Sequence, residues 1–593
     1  MILSALSRYY DQLLSEGSIP EPGWSPRRVA FALVLSEDGS LVNVIPLTEK
    51  DGMEIVAPEQ MKRTVAIAPN FLCDTSSYLL GIDVKGKPER AKKCFEASRE
   101  LHRKLLGDAD SPPARAIMAF YNGWNPDRAI DHPVIQRTGD ALLAGGMITF
   151  SVAGADGFPI WAVEDPAIRD AWNRRASTGP DDAPAMTCLV TGEHGPIARL
   201  HPSIKGVVGA QSSGATLVGF NAPAFESYGH AMDAGQGQGC NAPVSLHVAR
   251  AYGAALNYVL SRPEHRVRFG DTTVVFWSER EDRGNSGMLA GLLGGISAGQ
   301  TDKDGVDKQI SAVMKGLSSG HSVSLDGVDL HSYFFVLGLA PNASRVSVRF
   351  FLQDRFGSVL GNVVKHYERL AICHGPRSRD QITPYFLLRS IENENAKKPV
   401  ASSVLVSGLF RAILEGARYP ESLYTNVLLR IRATRNVTYE RASIIKAFLL
   451  RNRGYSEEEL RMDLNENNED RAYSLGRVFA VLEQIQNRAN GTTTITSRYL
   501  DSASTTPALV FPVLLRLSEK HLAKIERDAG GLATYFSRML SELLSKGGEP
   551  HTFPKRFSIE EQGCFLLGYY QQKWRPSKST SSSEAGNNET QEA

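Results

Sequence analysis

The chain has 593 residues, of which 42 % are apolar, and balances 66 Lys plus Arg against 65 Asp plus Glu. That length is too great for one hydrophobic core and excludes a single small module, so two to four domains are expected. The near-zero net charge removes any global basic signature, so a nucleic-acid surface has to be local.

Taken in chain order, "MILSALSRYYDQLLSEG" lacks the basic n-region of a secretory signal and reads as an amphipathic helix. No later stretch approaches the roughly eighteen apolar residues of a membrane span. The six cysteines, Cys73, Cys94, Cys188, Cys240, Cys373 and Cys564, lie far apart with no C-x-x-C pair. That spacing opposes both a zinc site and a disulfide framework, and a cytoplasmic protein without membrane attachment is expected.

Next, "VAFALVLSEDGSLVNVIPL" places two apolar runs around Glu37-Asp38-Gly39, a hairpin signature. "KPERAKKCFEASRELHRKLL" and "SLHVARAYGAALNYVLSR" have helical spacing, whereas "LLAGGMITFSVAG" and "TTVVFWSER" read as strands. "GMLAGLLGGISAGQ" is glycine-rich and reads as a mobile loop that is apolar enough to pack. "SYFFVLGLAPNASRVSVRFFL" predicts a second hairpin with Pro341-Asn342 in its connection, followed by a helix through "SVLGNVVKHYERL".

From about Ser402 the pattern is almost wholly helical, from "SSVLVSGLFRAILEGARY" to "FSIEEQGCFLLGYYQQKW". In the last segment Ser558 and Glu561 have capping-box spacing, ahead of an apolar stripe through Phe565, Leu566 and Tyr569. The fold class is therefore α+β, a mixed α/β N-terminal region followed by an all-α C-terminal helical bundle. The expected division is 1–400, possibly as two subdomains, then 401–576. Residues 577–593 form a polar tail expected to be disordered.

Catalytic signatures are missing. "GAQSSGAT" has Walker A glycine spacing, but Ala215 stands where the phosphate-binding lysine belongs and the strand-like "TLVGF" follows in place of a helix. There is no G-x-S-x-G elbow and no H-E-x-x-H, so neither a catalytic residue nor a metal or cofactor site is expected.

What the sequence does offer is "VGFNAPAFESYGHAMDAGQGQGCNAPVS", with Asn-Ala-Pro at Asn221 and again at Asn241. One reading is a structural loop, since Asn, Pro and Gly favour turns. The other is a recognition surface, because Asn and Gln carry donor and acceptor in one planar head suited to base edges. On that reading Asn221, Ser227, Gln236, Gln238 and Asn241, with Asn70 in the turn of "VAIAPNFLCDTSSYLLG", form or support the reading surface. Charge is also local: Arg411 to Arg453 hold nine basic residues against three acidic ones. Arg430, Arg432, Arg435 and Arg441, and separately Lys62, Arg63 and Lys205, are either solvated faces or phosphate contacts. Arg471, Arg477, Arg488 and Arg498 could extend that track.

The segments "ILSALSRYYDQL", "VAIAPNFLCDTSSYLLG", "LVGFNAPAFESYG", "NAPVSLHVARAYGAALNYVL" and "FPKRFSIEEQGCFLLGYYQQ" together resemble the Csd1-type large subunit of the type I-C CRISPR effector complex (Cascade), over the chain to about Gln572. The resemblance implies a non-enzymatic, crRNA-guided DNA-binding subunit. Such a subunit recognises the protospacer-adjacent motif in duplex DNA, assists strand opening and stabilises the displaced strand of the R-loop. The implied partners are the backbone and crRNA-handle-binding subunits, double-stranded target DNA, and a recruited helicase-nuclease that does the cutting. A separate small subunit from an internal start is also implied, and Met462 is a candidate that leaves 132 residues to Ala593. Competing readings are a nuclease or phosphotransferase with an unrecognised site, and an assembly scaffold without DNA contacts.

Overall fold

A computed structural model describes the chain apart from residues 48–51, 61–66, 83–86, 139–141, 143–144, 155–157, 179–183, 221, 226, 228, 230–236, 280–282, 295–327, 376–377, 380, 394–401, 547, 550–551 and 575–593. The expected disordered tail, 577–593, lies outside the described residues. Sheets occupy the N-terminal half and helices the C-terminal part, so the fold is α+β. The chain forms two compact units, Met1–Ile204 with Thr216–Tyr258, and Lys205–Ala215 with Val259–Ala593.

In the first unit the strand Phe31–Leu35 is buried along its whole length. It runs parallel to Ile148–Ala153 and antiparallel to Leu41–Pro46, which is why its sequence is continuously apolar rather than alternating. The hairpin turn predicted at Glu37-Asp38-Gly39 is present. Gly39 has a φ of 84°, and a side chain there would meet the Phe120 backbone, so the position requires glycine twice over. The Asp38 carboxylate accepts hydrogen bonds from Ser36 Oγ and from the Ser40 N–H at 3.1 Å, which closes the turn. The helices Pro88–Leu106 and Pro112–Gly123 pack Phe95, Ile117, Phe120 and Tyr121 into the core beside Phe150.

In the second unit Arg266–Phe269, Thr272–Ser278, Tyr333–Asn342 and Arg345–Arg355 run antiparallel in that order. The predicted hairpin exists, but its turn is tighter than expected. Pro341 and Asn342 stay in the strand, paired with Val346 and Arg345, and Ala343-Ser344 make the turn with Ala343 at a φ of 52°. "GMLAGLLGGISAGQ" also differs from expectation. Its first residues finish the helix Arg283–Leu292, with Leu289 and Leu292 in the core, and the remainder from 295 lies outside the described residues.

Composition changes near residue 400, but packing does not. Phe410, on the helix Ser403–Leu414, stacks on Phe350 at 5.9 Å and lies 4.7 Å from Phe269, so these helices share one core with the strands. The expected boundary between 1–400 and 401–576 therefore does not separate two cores. The last helix, Ile559–Lys573, opens with the predicted capping box at Ser558 and Glu561. Phe565, Leu566 and Tyr569 are buried, but so are Gln562, Gln571 and Gln572, and the helix is enclosed on every side rather than striped. It nests against the helix Arg471–Asn490, where a methyl on Gly476 would overlap the Phe565 carbonyl and one on Gly568 the Tyr473 carbonyl. Among the described residues no helix is long and apolar enough to cross a membrane.

Candidate nucleic-acid interface

The loop between the two Asn-Ala-Pro copies is tied to itself. Gln238 donates through Nε2 to the Phe220 carbonyl at 3.0 Å, and Asn241 donates through Nδ2 to the Phe225 carbonyl. The carbonyl side of Gln238 is taken as well, since Arg199 Nη1 donates to Gln238 Oε1 at 2.8 Å. Gln238 and Asn241, expected to form or support the reading surface, thus bond to Phe220 and Phe225, which flank the first Asn-Ala-Pro copy.

Further contacts fix the loop's far end. Ile197 pairs with Ser245 in an isolated bridge, and the Ala198 N–H donates to the Val244 carbonyl at 2.8 Å. Gly239, at a φ of 94°, lies where a side chain would press 2.8 Å from the Ala198 carbonyl oxygen. Cys188 Sγ accepts from the N–H groups of Ser245 and Val190 at 3.3 and 3.4 Å. Ser245 then caps the helix Leu246–Ser261, its Oγ accepting from the Val248 N–H at 3.3 Å.

Ser227 is exposed at this loop, and Arg199 is exposed beside Gln238. Asn221 and Gln236 lie outside the described residues, as do Lys62 and Arg63. Asn70 does not join this surface. It is buried, and its N–H donates to Asp74 Oδ2 at 2.8 Å. Two residues on, the Leu72 N–H donates to His102 Nε2 at 3.0 Å while Leu72 holds a left-handed φ of 59°. His102 Nδ1 faces the Ser98 carbonyl at 2.7 Å, so the ring donates there and accepts from Leu72, and burial lowers its pKa to about 4. The turn predicted around Asn70 is real, but the surrounding core consumes it, which corrects its assignment as a reading residue.

In the second unit Lys205 is exposed at the start of the segment Lys205–Ala215. The basic stretch separates into two kinds of arginine. Arg441 is buried, donating through Nε to the Ser390 carbonyl at 3.0 Å and through Nη1 to Thr434 Oγ1 and the Asn436 carbonyl, both at 2.8 Å. Its guanidinium ties Ser390 to the 434–436 turn, so the expectation that it contacts phosphate is corrected to a structural role. Arg432 and Arg435 are partly exposed and share Asp501. Arg432 also donates through Nη2 to Gln562 Oε1 at 2.6 Å. The helix Glu421–Thr434 stops at Arg435, whose φ of 54° is left-handed and whose N–H closes on the Ile431 carbonyl at 2.7 Å. Arg430 is half-buried, and its Nε has no hydrogen-bond partner among the described residues.

The arginines further along sort the same way. Arg471 donates to the Leu544 and Lys546 carbonyls, both at 2.8 Å, and Arg477 is buried against Gln572 Oε1 at 2.9 Å. Arg488 and Arg498 are exposed. Sequence reasoning missed Arg199, which sits alone in "IARLHP", and Asp501, distant in sequence from the arginines it holds. Neither has a periodic signal that could have revealed it. Among the described residues no group of three His, Cys, Asp or Glu is placed to hold a metal ion.

The family model described as CRISPR-associated protein (Cas_Csd1) matches residues 6–575. Comparison with curated proteins found no match.

Proposed function

Because this chain belongs to the CRISPR-associated Csd1 family, we propose that it is the large subunit of a type I-C, crRNA-guided surveillance complex. In this reading the protein recognises a short flanking motif in duplex DNA while guide pairing reads the target. It then helps open the duplex and holds the displaced strand. The chain contributes binding rather than catalysis, and cutting falls to a recruited helicase-nuclease.

The observation that carries the reading is the bracing of Gln238 and Asn241 onto Phe220 and Phe225. Gln238 is bonded to Phe220 and Arg199, and Asn241 to Phe225, and such bracing before binding lowers the ordering cost of reading base edges. Asn241 and Gln238 act in this account as supports, and Ser227, Asn221 and Gln236 as the reading side chains. Partly exposed Arg432 and Arg435, with Lys205, Lys62 and Arg63, supply the sequence-independent phosphate contacts.

The test is photo-crosslinking in the assembled complex, with the reactive base placed first in the motif duplex and then in the displaced strand. Crosslinks to this chain from both positions support the reading. Crosslinks to neighbouring subunits alone would identify an assembly scaffold.

A further inference from the structure

The short helix Pro384–Ile391 turns Leu387, Leu388 and Ile391 into the core and leaves Tyr385 and Arg389 outside, with Arg379 exposed just ahead of it. Tyr385 is 44 % exposed. Its position is fixed. Arg389, one turn later, donates through Nη1 to Tyr385 Oη at 3.1 Å, and the Phe386 ring stands nearly perpendicular to Tyr385 at 5.1 Å. Phe386 packs against the core, and the exposed Arg379 guanidinium lies over its ring at 3.4 Å from the centroid. Buried Arg441 holds the end of the same helix through the Ser390 carbonyl.

A tyrosine supported in this way offers a π-surface, and the guanidinium groups of Arg389 beside it, 5.9 Å from its ring centre, and of Arg379 over the neighbouring Phe386 suit the phosphates flanking a stacked base. Duplex DNA has no free base face, so such a platform needs an unpaired strand. We propose that Tyr385 is a base-stacking platform for single-stranded DNA, with Arg379 and Arg389 contacting the adjacent phosphates. This rests on the function proposed above, in which the displaced strand is the unpaired DNA, and it assigns that strand a specific contact.

The proposal is tested with the full-length chain by comparing an oligo-dT about twelve nucleotides long, within the site size of a stacking groove, with an abasic phosphodiester of equal length. Wild type should prefer the base-bearing strand. Tyr385→Ala should weaken oligo-dT binding roughly five- to hundredfold, the range of one lost base stack, and leave abasic binding unchanged. Tyr385→Phe, which keeps the ring, should retain the preference.

Within the assembled complex, 5-iododeoxyuridine in the displaced strand should crosslink to the peptide containing Tyr385. Equal loss on both oligomers, no loss on either, or a crosslink at Tyr385 only from guide RNA or a protein subunit overturns the proposal. If displaced-strand crosslinks then map elsewhere on this chain, the broader function stands. If they map nowhere on it, that function falls too.

Discussion

Asp501 holds two arginines at once, its Oδ1 lying 3.5 Å from Arg432 Nε and its Oδ2 3.3 Å from Arg435 Nη1. All three side chains are between 35 and 40 % exposed, so the ion pairs themselves contribute little stability. On the function proposed above, the Asp501 carboxylate competes with a phosphate for the two guanidinium groups. Asp501→Asn is expected to raise affinity for single-stranded DNA and to steepen its salt dependence by about one to two units of log–log slope. A titration across ionic strengths reads this directly, and an unchanged slope would leave the trio as a link between helices.

Arg441 should behave in the opposite way. Arg441→Met removes the donor for three acceptors and is expected to destabilise the fold by on the order of 3 kcal/mol. The folded fraction should bind DNA with an unaltered salt slope. Denaturant midpoints paired with a salt titration separate these outcomes, and a reduced slope would restore Arg441 as a phosphate contact.

Acid sensitivity follows from two buried histidines in different units. Burial lowers His366 to about 3, with nearby Arg369 adding to the effect, and lowers His102 to about 4. A folded-state pKa below the unfolded value of about 6.5 gives stability that is complete above that pH and is lost as pH falls toward the folded value. Each histidine should therefore contribute a slope of about 1.4 kcal/mol per pH unit between pH 6.5 and its folded pKa. His366 Nδ1 lies 2.6 Å from Tyr419 Oη, so His366→Gln keeps a polar partner there while removing one titrating group. Urea unfolding at pH 7 and pH 5 should show a shallower pH dependence for this variant, and an identical dependence would assign acid sensitivity elsewhere.

How much of this was legible in the sequence depends on the range of the interaction. Gly39, the Ser558–Glu561 cap and the helix starting after Ser245 are set by residues within a few positions of each other, and pattern reading placed them. The roles of Asn70 and Arg441 depend on distant partners. His102 and Asp74 bury the first, and the Ser390 carbonyl with the 434–436 turn captures the second. A basic residue on an apparent helix face carries no local mark of whether a carbonyl or a phosphate completes it. The boundary expected near residue 400 had the same origin, because composition changes there while Phe410 packs on Phe350 and Phe269 across it.

A separately made C-terminal product has a defined packing consequence. Met462 is exposed in the loop before the helix Arg471–Asn490, so a start there keeps every later helix whole. In the full chain, however, Tyr424 and Ile445 cover Gly563 of the last helix. A fragment from Met462 would expose that face and should need a neighbouring subunit to cover it. Mass analysis of the assembly, with the Met462 codon intact and silenced, is expected to show a short product only in the first case. No short product in either assembly removes the separate subunit from the account.

The central claim is that the braced loop reads the flanking motif, and the most direct measurement is the affinity of the assembled complex for target duplexes that differ only in the flanking bases. Wild type should discriminate among them. Replacing Asn221 and Gln236, or loosening the frame with Gln238→Ala and Asn241→Ala, should lower that discrimination by about 1–3 kcal/mol per lost base contact, while binding to guide-matched single-stranded DNA is retained. Discrimination that survives all four substitutions would contradict the account and return the loop to a structural role.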